Sequence, residues 1–177
     1  VGTQLRDSFH LTPYASADLF VPCGGRPNAV TTSNVKSLFT ADGVRPKFKF
    51  ICEGANLFFS DAARIVLENA GVHLFKDATT NKGGVCSSSL EVLAALAMSP
   101  EEHSKIMAYN PDTSPEPPQF YKTYVQQILD IIIENARQEF RAIWDCNQQM
   151  GVGKVECTKR LSVKINQMCD SIQGHFK

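Results

Sequence analysis

The stretch from Lys76 to Glu91 holds the residues of this sequence best suited to bind a ligand. It contains Asn81, a pair of adjacent glycines and three consecutive serines, and an apolar helical pattern begins at Leu90. Loops that follow parallel strands bind ligands in open α/β sheets. Glycines let the backbone approach a ligand closely, and free N–H groups at a helix N-terminus attract anions. We therefore expect a polar ligand-binding loop between a buried strand and a helix.

Three short apolar runs predict the strands that position this loop. They are residues 17–21, 48–52 and 72–76. Helical patterns separate them, and a further one follows the third run to about residue 98. Strands alternating with helices through short loops predict right-handed parallel βαβ units. The expected fold class is α/β, a partial parallel sheet of about three strands with its post-strand loops along one edge.

Local signals place the helices of these units. A short helix is expected at 33–39 and a longer one at 60–69. Ser60 is a good N-cap for the longer helix, and Gly71 suits the position after its last turn. Three apolar residues with helical spacing are expected to form its buried face: Ala62, Ile65 and Val66.

The sequence beyond these units predicts helices without strands. A short helix is expected at 99–107, and four prolines make 109–118 a loop. Apolar residues every three or four positions then predict one helix over 119–148, about 45 Å long. A last helix is expected at 158–172, and little regular structure at 1–16.

Bulk composition excludes several classes of protein. The 177 residues carry 18 basic and 18 acidic side chains, so no nucleic-acid partner is expected. No apolar run is long enough for a membrane helix, so no membrane partner is expected. Six scattered cysteines fit mostly reduced thiols in a reducing compartment better than a metal site or a disulfide framework. Both a mitochondrial and a cytoplasmic location stay open. The absence of an initial Met fits a processed chain or a fragment.

Taken in order, the three post-strand loops resemble those of glutamate dehydrogenases, in particular the large NAD-dependent enzymes of lower eukaryotes. The loops read Phe20-Val21-Pro22-Cys23-Gly24-Gly25-Arg26-Pro27, then Glu53-Gly54-Ala55-Asn56-Leu57-Phe58, then Asn81-Lys82-Gly83-Gly84-Val85 with Ser88-Ser89-Leu90-Glu91. The likeness is close from residue 5 to about 98 and looser to about 172.

The resemblance implies a division of the chain. Residues 1–108 would be the second half of a Rossmann-type NAD-binding domain, 109–118 a Pro-rich loop, and 119–177 a long connecting helix with a C-terminal helix. No Gly-x-Gly-x-x-Gly phosphate turn occurs in the chain. In the family that turn and the catalytic lysines and aspartate come earlier. The resemblance therefore implies no catalytic residue here, and the isolated chain is expected to be inactive.

The resemblance also implies which residues bind ligands. Expected contacts to the cofactor NAD come from Cys23, Gly24, Gly54, Asn56, Asn81 and Gly84. Expected contacts to the substrate come from Val85 and Ser88, and no metal site is expected. In the family, the residue at the Asn56 position contacts the nicotinamide-side ribose, and the hydroxyl at the Ser88 position contacts the side-chain carboxylate of the substrate.

Structural alternatives exist for the polar residues. Asn56 suits an Asx turn that holds its own loop, and Asn81 suits a left-handed loop position. Ser88 with Glu91 fits a capping box. Arg26 is either a solvated side chain or a phosphate contact, since it departs from the residue common in the smaller hexameric enzymes.

The implied function is oxidative deamination of L-glutamate to 2-oxoglutarate and ammonium, with hydride transfer to NAD, in a parent enzyme that is a homo-oligomer. One alternative keeps the enzyme class but takes a branched or aromatic amino acid. A second alternative is a non-catalytic oligomerisation or regulatory module that uses the apolar stripe of the long helix.

Overall fold

The computed structural model describes residues 2–24 and 26–175. Its strands form one parallel sheet in the order β1 (Ala17–Phe20), β2 (Phe48–Cys52) and β3 (His73–Phe75). Leu19 pairs with Phe50, and Phe50 pairs with His73. The expected parallel α/β sheet is confirmed, and its strands match the three apolar runs to within one residue at each end.

Seven α-helices occur in the described residues. They are α1 (Gly2–Ser8), α2 (Asp61–Asn69), α3 (Asp77–Thr80), α4 (Gly83–Leu96), α5 (Pro100–Ile106), α6 (Gln119–Met150) and α7 (Lys154–His175). Two 3₁₀ helices, Phe9–Leu11 and Val35–Leu38, complete the regular structure. The long helix after the Pro-rich loop is confirmed as α6. The expectation of little structure before β1 is wrong, because α1 and a 3₁₀ turn occupy that segment.

The chain forms two compact units. The sheet unit comprises Val1–Asn81 with Phe140–Lys177, and the helical unit comprises Lys82–Glu139. The division into 1–108, 109–118 and 119–177 stays a prediction. None of the helices in residues 2–24 and 26–175 combines the length and the apolar character needed to cross a membrane.

The ends of α2 form as the sequence predicts. The Ser60 hydroxyl accepts a hydrogen bond of 3.3 Å from the Ala63 N–H. Gly71 follows the helix with a φ of +89°, a conformation that glycine adopts without steric cost. Both signals are local, which explains why they can be recognised without tertiary information.

The buried face of α2 is not the expected one. Ala63, Arg64 and Leu67 are buried, whereas Ile65 is 51% exposed. An arginine within the buried face is stable here because it is paired with a buried carboxylate, described below. The apolar pattern is a poor guide to such a face, since hydropathy counts the arginine as a surface residue.

The main core lies around the sheet and α2. Its fully buried members include Val30, Leu38, Ile51, Leu67 and Leu74. A smaller cluster joins β3 to the end of α6 and the start of α7, with Phe75, Ile143 and Cys157 at its centre. All six cysteines are free thiols. Burial is the main cause that raises the pKa of Cys157 to about 12, so this thiol stays protonated.

The start of α7 is fixed to the sheet by polar contacts. Glu68 on α2 accepts a hydrogen bond of 3.1 Å from the Val155 N–H, so its carboxylate caps α7. The buried Lys154 amine lies 3.0 Å from His73 Nδ1 and donates to Asn147 Oδ1 at 2.9 Å. The lysine ammonium group has no acceptor, so His73 accepts through Nδ1 and its ring is neutral.

We expect this arrangement to make folding stability depend on pH. Burial, and then the charge of Lys154, lower the pKa of His73 below its ordinary value of 6.5. The unfolded chain therefore binds a proton that the folded chain does not. The His73 contribution is complete above pH 6.5 and is lost as the pH falls from there toward the lower pKa of the folded state.

Urea unfolding at about pH 7.5 and about pH 5.5 measures this effect. The loss of unfolding free energy between the two pH values should be smaller in His73→Phe than in the wild type. His175→Phe, at an exposed position on α7, should keep the wild-type difference. An unchanged pH difference in His73→Phe would contradict the assignment.

Candidate functional site

The stretch at 76–91 is largely helical, so the expected loop is wrong. α3 covers Asp77–Thr80, and α4 begins at Gly83. The two glycines lie in the first turn of α4 instead of ahead of the helix. The serines do not interrupt the helix, because their hydroxyls bond to carbonyls of the preceding turn; Ser88 Oγ donates to the Val85 carbonyl at 3.1 Å.

Ser88 does not cap α4. The residue at the N-cap position is Lys82, and it makes no side-chain cap hydrogen bond. Ser88 lies in the second turn, exposed to solvent. The capping-box alternative is therefore wrong, and no side chain among the described residues caps the first turn of α4.

Gly84 and Val85 lie on the open side of this first turn. A Cβ atom built on Gly84 would meet no atom within 4 Å, and Val85 is 71% exposed. The neighbouring Gly83 faces inward, where a Cβ atom would lie 3.6 Å from Ile132 Cγ2. Within the helical unit, the Tyr124 hydroxyl donates to the Leu90 carbonyl at 2.6 Å and holds α6 against α4.

Asn56 and Asn81 meet at the carboxyl edge of the sheet. Asn56 follows β2, Asn81 follows α3, and the Asn81 side-chain amide donates to Asn56 Oδ1. Asn81 has a φ of −109°, so the left-handed alternative is wrong; Leu57 takes such a conformation instead, with a φ of 56°. The Asn56 oxygen bonds to Asn81 and not to its own loop, so the Asx-turn alternative is also wrong.

A buried carboxylate holds the loop that carries Asn56. Glu53 is 0% exposed and forms a two-pronged ion pair with Arg64, at 2.8 Å to Nε and 3.0 Å to Nη2. Its oxygens also accept hydrogen bonds from the backbone N–H groups of Phe59, at 3.1 Å, and Asp77, at 3.2 Å. One side chain thus joins β2, its loop, α2 and the start of α3.

Asp77 fixes the same loop from the other side. Its Oδ2 accepts a hydrogen bond of 2.7 Å from the Leu57 N–H, and its Oδ1 accepts one of 2.8 Å from the Ala78 N–H. Thr80 donates its hydroxyl to the Glu53 carbonyl. Loop residues on both sides of Asn56 are therefore held, which restricts the positions its side chain can take.

Charge balance within this network favours the ionised form of Arg64. Burial opposes the charge on Arg64, but the hydrogen bonds and charges of Glu53, Asp61 and Asp77 outweigh it and raise the arginine pKa. Arg64 is 2% exposed and is 2.6 Å from Asp61 Oδ1. We refer to Glu53, Asp61, Arg64 and Asp77 as the charge network.

Sequence analysis assigned no role to these four residues. One signal was present: Arg64 lies on the same face of α2 as Ala63 and Leu67, and a charged residue on a buried face indicates a buried partner.

The loops after β1 and β2 pack closely together. The Ala55 N–H donates to the Pro22 carbonyl at 2.7 Å. A Cβ atom on Gly54 would lie 2.8 Å from Cys23 Sγ, so only glycine fits without a shift. Gly24 has a φ of +87°, which permits the turn after Cys23.

The expected site residues thus fall into two groups. In the sheet unit, the structure brings Cys23 against Gly54 and Asn56 against Asn81 at the edge where β1 and β2 end. In the helical unit, Gly84, Val85 and Ser88 share the first two turns of α4. The groups they offer are amides, backbone N–H groups and a hydroxyl, which suit sugar hydroxyls, carboxamides and carboxylates. Within the described ranges, no cluster of three His, Cys, Asp or Glu side chains could hold a metal ion.

Comparison with protein families shows to which family the chain belongs. The family model for Glutamate/Leucine/Phenylalanine/Valine dehydrogenase matches residues 5–151. The chain belongs to this dehydrogenase family. The matched range contains every expected site residue, and the resemblance to glutamate dehydrogenases is confirmed.

Two similar proteins are themselves named as glutamate dehydrogenases. The chain is 47% identical over 172 residues to "Glutamate dehydrogenase 2" of Dictyostelium discoideum, covering 97% of this chain and 16% of that protein. It is 41% identical over 172 residues to "NAD-specific glutamate dehydrogenase" of Neurospora crassa, with coverage of 97% and 16%. The chain therefore spans about a sixth of the length of these dehydrogenases.

A solved structure shares the fold. The crystal structure of glutamate dehydrogenase from Peptoniphilus asaccharolyticus matches with a TM-score of 0.55 and 18% sequence identity. The match covers 87% of this chain and 31% of that one. This likeness shows that the two chains share a fold over the matched range.

Proposed function

We propose that the chain is part of an NAD-dependent glutamate dehydrogenase. The parent protein oxidatively deaminates L-glutamate to 2-oxoglutarate and ammonium and reduces NAD. The chain's membership of the dehydrogenase family supports this proposal. The similarity to a protein named NAD-specific glutamate dehydrogenase supports it as well. The observation that carries it is the Asn56–Asn81 amide pair, held at the carboxyl edge of a parallel sheet by the charge network.

The sheet edge fits the nicotinamide half of NAD. Asn56 binds hydroxyls of the nicotinamide-side ribose, and Asn81 binds the carboxamide. Cys23, Gly24 and Gly54 form a closely packed floor on which a bound dinucleotide can lie near the backbone. NAD, when bound, supplies the hydride acceptor, and these residues bind and orient it.

The start of α4 fits the substrate. The exposed Ser88 hydroxyl binds the side-chain carboxylate of glutamate, and Val85 lines the substrate beside it. The N-terminal end of a helix favours a negative charge, and no side chain caps α4. The catalytic lysines and aspartate are expected in the preceding part of the parent, so the 177-residue chain alone should not form NADH.

We expect Asn56→Ala in the full-length parent to lower kcat/KM for NAD about tenfold. A hydrogen bond of this kind contributes about 0.5–1.5 kcal/mol, and about 1.4 kcal/mol corresponds to a factor of ten. Steady-state kinetics with NAD as the varied substrate measure the effect. Asn69→Ala, at an exposed position on α2, is the matched control and should leave kcat/KM unchanged. Equal values for the two variants would contradict the assignment of Asn56.

A second candidate function is oligomerisation without catalysis, through the long helix. Several large apolar side chains of α6 are exposed in the helical unit: Phe120, Leu129, Ile131 and Ile133. Exposed apolar side chains of this size favour burial against a second copy, in agreement with the proposed homo-oligomeric parent. Sedimentation of the chain as a monomer would contradict this candidate.

A further inference from the structure

An ion pair at the start of α4 has no part in the proposed function. The Lys82 amine lies 2.6 Å from a carboxylate oxygen of Glu139 on α6, and both residues belong to the helical unit. The Glu139 side chain is 16% exposed and the Lys82 side chain 53%. A partly buried pair is screened by salt less than an exposed one, so these two charges attract each other more strongly than at an open surface. We refer to these two residues as the α4 ion pair.

Lys82 occupies the position at which α4 begins. It is the N-cap residue, and its side chain makes no cap hydrogen bond but extends to α6. A positive charge at the N-terminus of a helix opposes the helix macrodipole, and a carboxylate bound to the amine offsets that charge. The contact with Glu139 therefore stabilises a lysine at a position where aspartate or serine is preferred.

Two further contacts show that α4 runs antiparallel to α6. A Cβ atom on Gly83 would lie 3.6 Å from Ile132 Cγ2, and the Leu90 carbonyl accepts the Tyr124 hydroxyl at 2.6 Å. Positions on α6 thus fall from 139 to 124 as positions on α4 rise from 82 to 90. Ser88 lies between these two points of attachment, so its position depends on both of them.

We propose that the α4 ion pair positions the start of α4 so that the Ser88 hydroxyl meets the substrate carboxylate. The inference rests on the proposed function, in which Ser88 binds glutamate. Lys82 and Glu139 are positioning residues, because they act on the substrate only through the helix. Without the pair, the first turn of α4 is free to shift along α6, and Ser88 is in place in a smaller fraction of molecules. Apparent binding of the substrate weakens by that fraction.

Charge reversal in the full-length parent tests the pair. Glu139→Lys places two cations together at the start of α4, where the helix macrodipole also disfavours them. It should raise KM for glutamate at least about fivefold, the upper end of the effects measured for one exposed ion pair. The kcat should change less than about twofold, because saturating glutamate selects the molecules in which Ser88 is in place. The double variant Lys82→Glu with Glu139→Lys restores the pair with its charges exchanged and should return KM to within about twofold of the wild-type value.

Glu116→Lys is the matched control. Glu116 pairs with Lys122 at 2.8 Å in the helical unit, its side chain is 77% exposed, and neither residue belongs to α4. The same reversal of charge should leave KM for glutamate unchanged here. Three results would overturn the proposal: an unchanged KM in Glu139→Lys, an equal rise in both single variants, and a KM of the double variant no lower than that of Glu139→Lys.

Amide hydrogen exchange of the ligand-free parent is a second measurement, and it needs no turnover. Glu139→Lys should speed exchange at 86–90 on α4 and leave exchange in α2 unchanged, and the double variant should restore slow exchange at 86–90. If the wild-type parent does not oxidise glutamate, the proposed function fails, and exchange at 86–90 decides whether the pair holds α4. If glutamate is oxidised and exchange at 86–90 is the same in Glu139→Lys and the wild type, the inference alone fails.

Discussion

Arg64→Met should lower the free energy of unfolding by about 3–5 kcal/mol, the usual cost of removing one partner from a buried ion pair. The substitution leaves the Glu53 carboxylate with 0% exposure and without its two guanidinium bonds, at 2.8 and 3.0 Å. Asp77, which the same guanidinium approaches at 3.5 Å, also loses its cationic neighbour. Small domains are stable by only about 5–15 kcal/mol, so the loss is a large part of the total.

Urea unfolding of the chain measures this change. Arg160→Met is the matched control, because Arg160 pairs with Glu156 at 2.8 Å on the exposed surface of α7. The control should unfold at the wild-type urea concentration. A similar stability for both variants would show that the charge network does not hold the loop between β2 and α2.

Ser88→Val in the full-length parent should lower kcat/KM for glutamate by about 10- to 100-fold. The estimate follows from the worth of a hydrogen bond to a charged group, about 1.5–3 kcal/mol. Valine keeps a similar volume but removes the hydroxyl that is proposed to bind the substrate carboxylate. Steady-state kinetics with glutamate as the varied substrate measure the change.

Ser89→Val provides the matched control for this experiment. Ser89 is the next residue of α4, is also exposed, and donates its hydroxyl to the same Val85 carbonyl, at 2.9 Å. Both variants therefore lose one internal bond and gain one β-branched side chain. A substrate choice that Ser88→Val leaves unchanged would favour the alternative in which the parent takes a branched or aromatic amino acid.

Features governed by local sequence could be predicted. The apolar runs that form β1, β2 and β3 have few alternatives in a chain of this composition, and the long crossovers between them, which contain helical turns, suit parallel pairing. The Ser60 cap and Gly71 depend only on neighbouring backbone groups. The short helix expected at 99–107 forms as α5, and a capping box of Ser99 with Glu102, also a local feature, opens it.

Features that depend on distant partners could not be predicted. Arg64 is buried because Glu53, eleven positions away, lies opposite it, and hydropathy contains no information about that pairing. The segment at 83–89 contains glycines and serines that favour a loop on propensity alone. It forms a helix in which the serine hydroxyls bond back to the helix itself, and Tyr124 bonds to a carbonyl of the same helix.

In the candidate site, too, local features could be predicted and contacts between distant residues could not. The motifs identified Asn56 and Asn81, and the structure adds that the two amides touch. Nothing in the sequence near Asn56 indicates that Glu53 and Asp77 hold its loop, because their bonds reach across strands and helices. His10 belongs to no motif, and only the packing of Phe20 and Phe58 around it shows that it is buried.

Reduction of NAD by the full-length parent, with glutamate, leucine, phenylalanine and valine offered in turn, tests the proposed function most directly. The account predicts that kcat/KM is highest for glutamate, by about 100-fold or more over the apolar amino acids, because Ser88 pairs with a carboxylate that the others lack. Reduction of NAD with an apolar amino acid in preference to glutamate, or with none of the four, would contradict it.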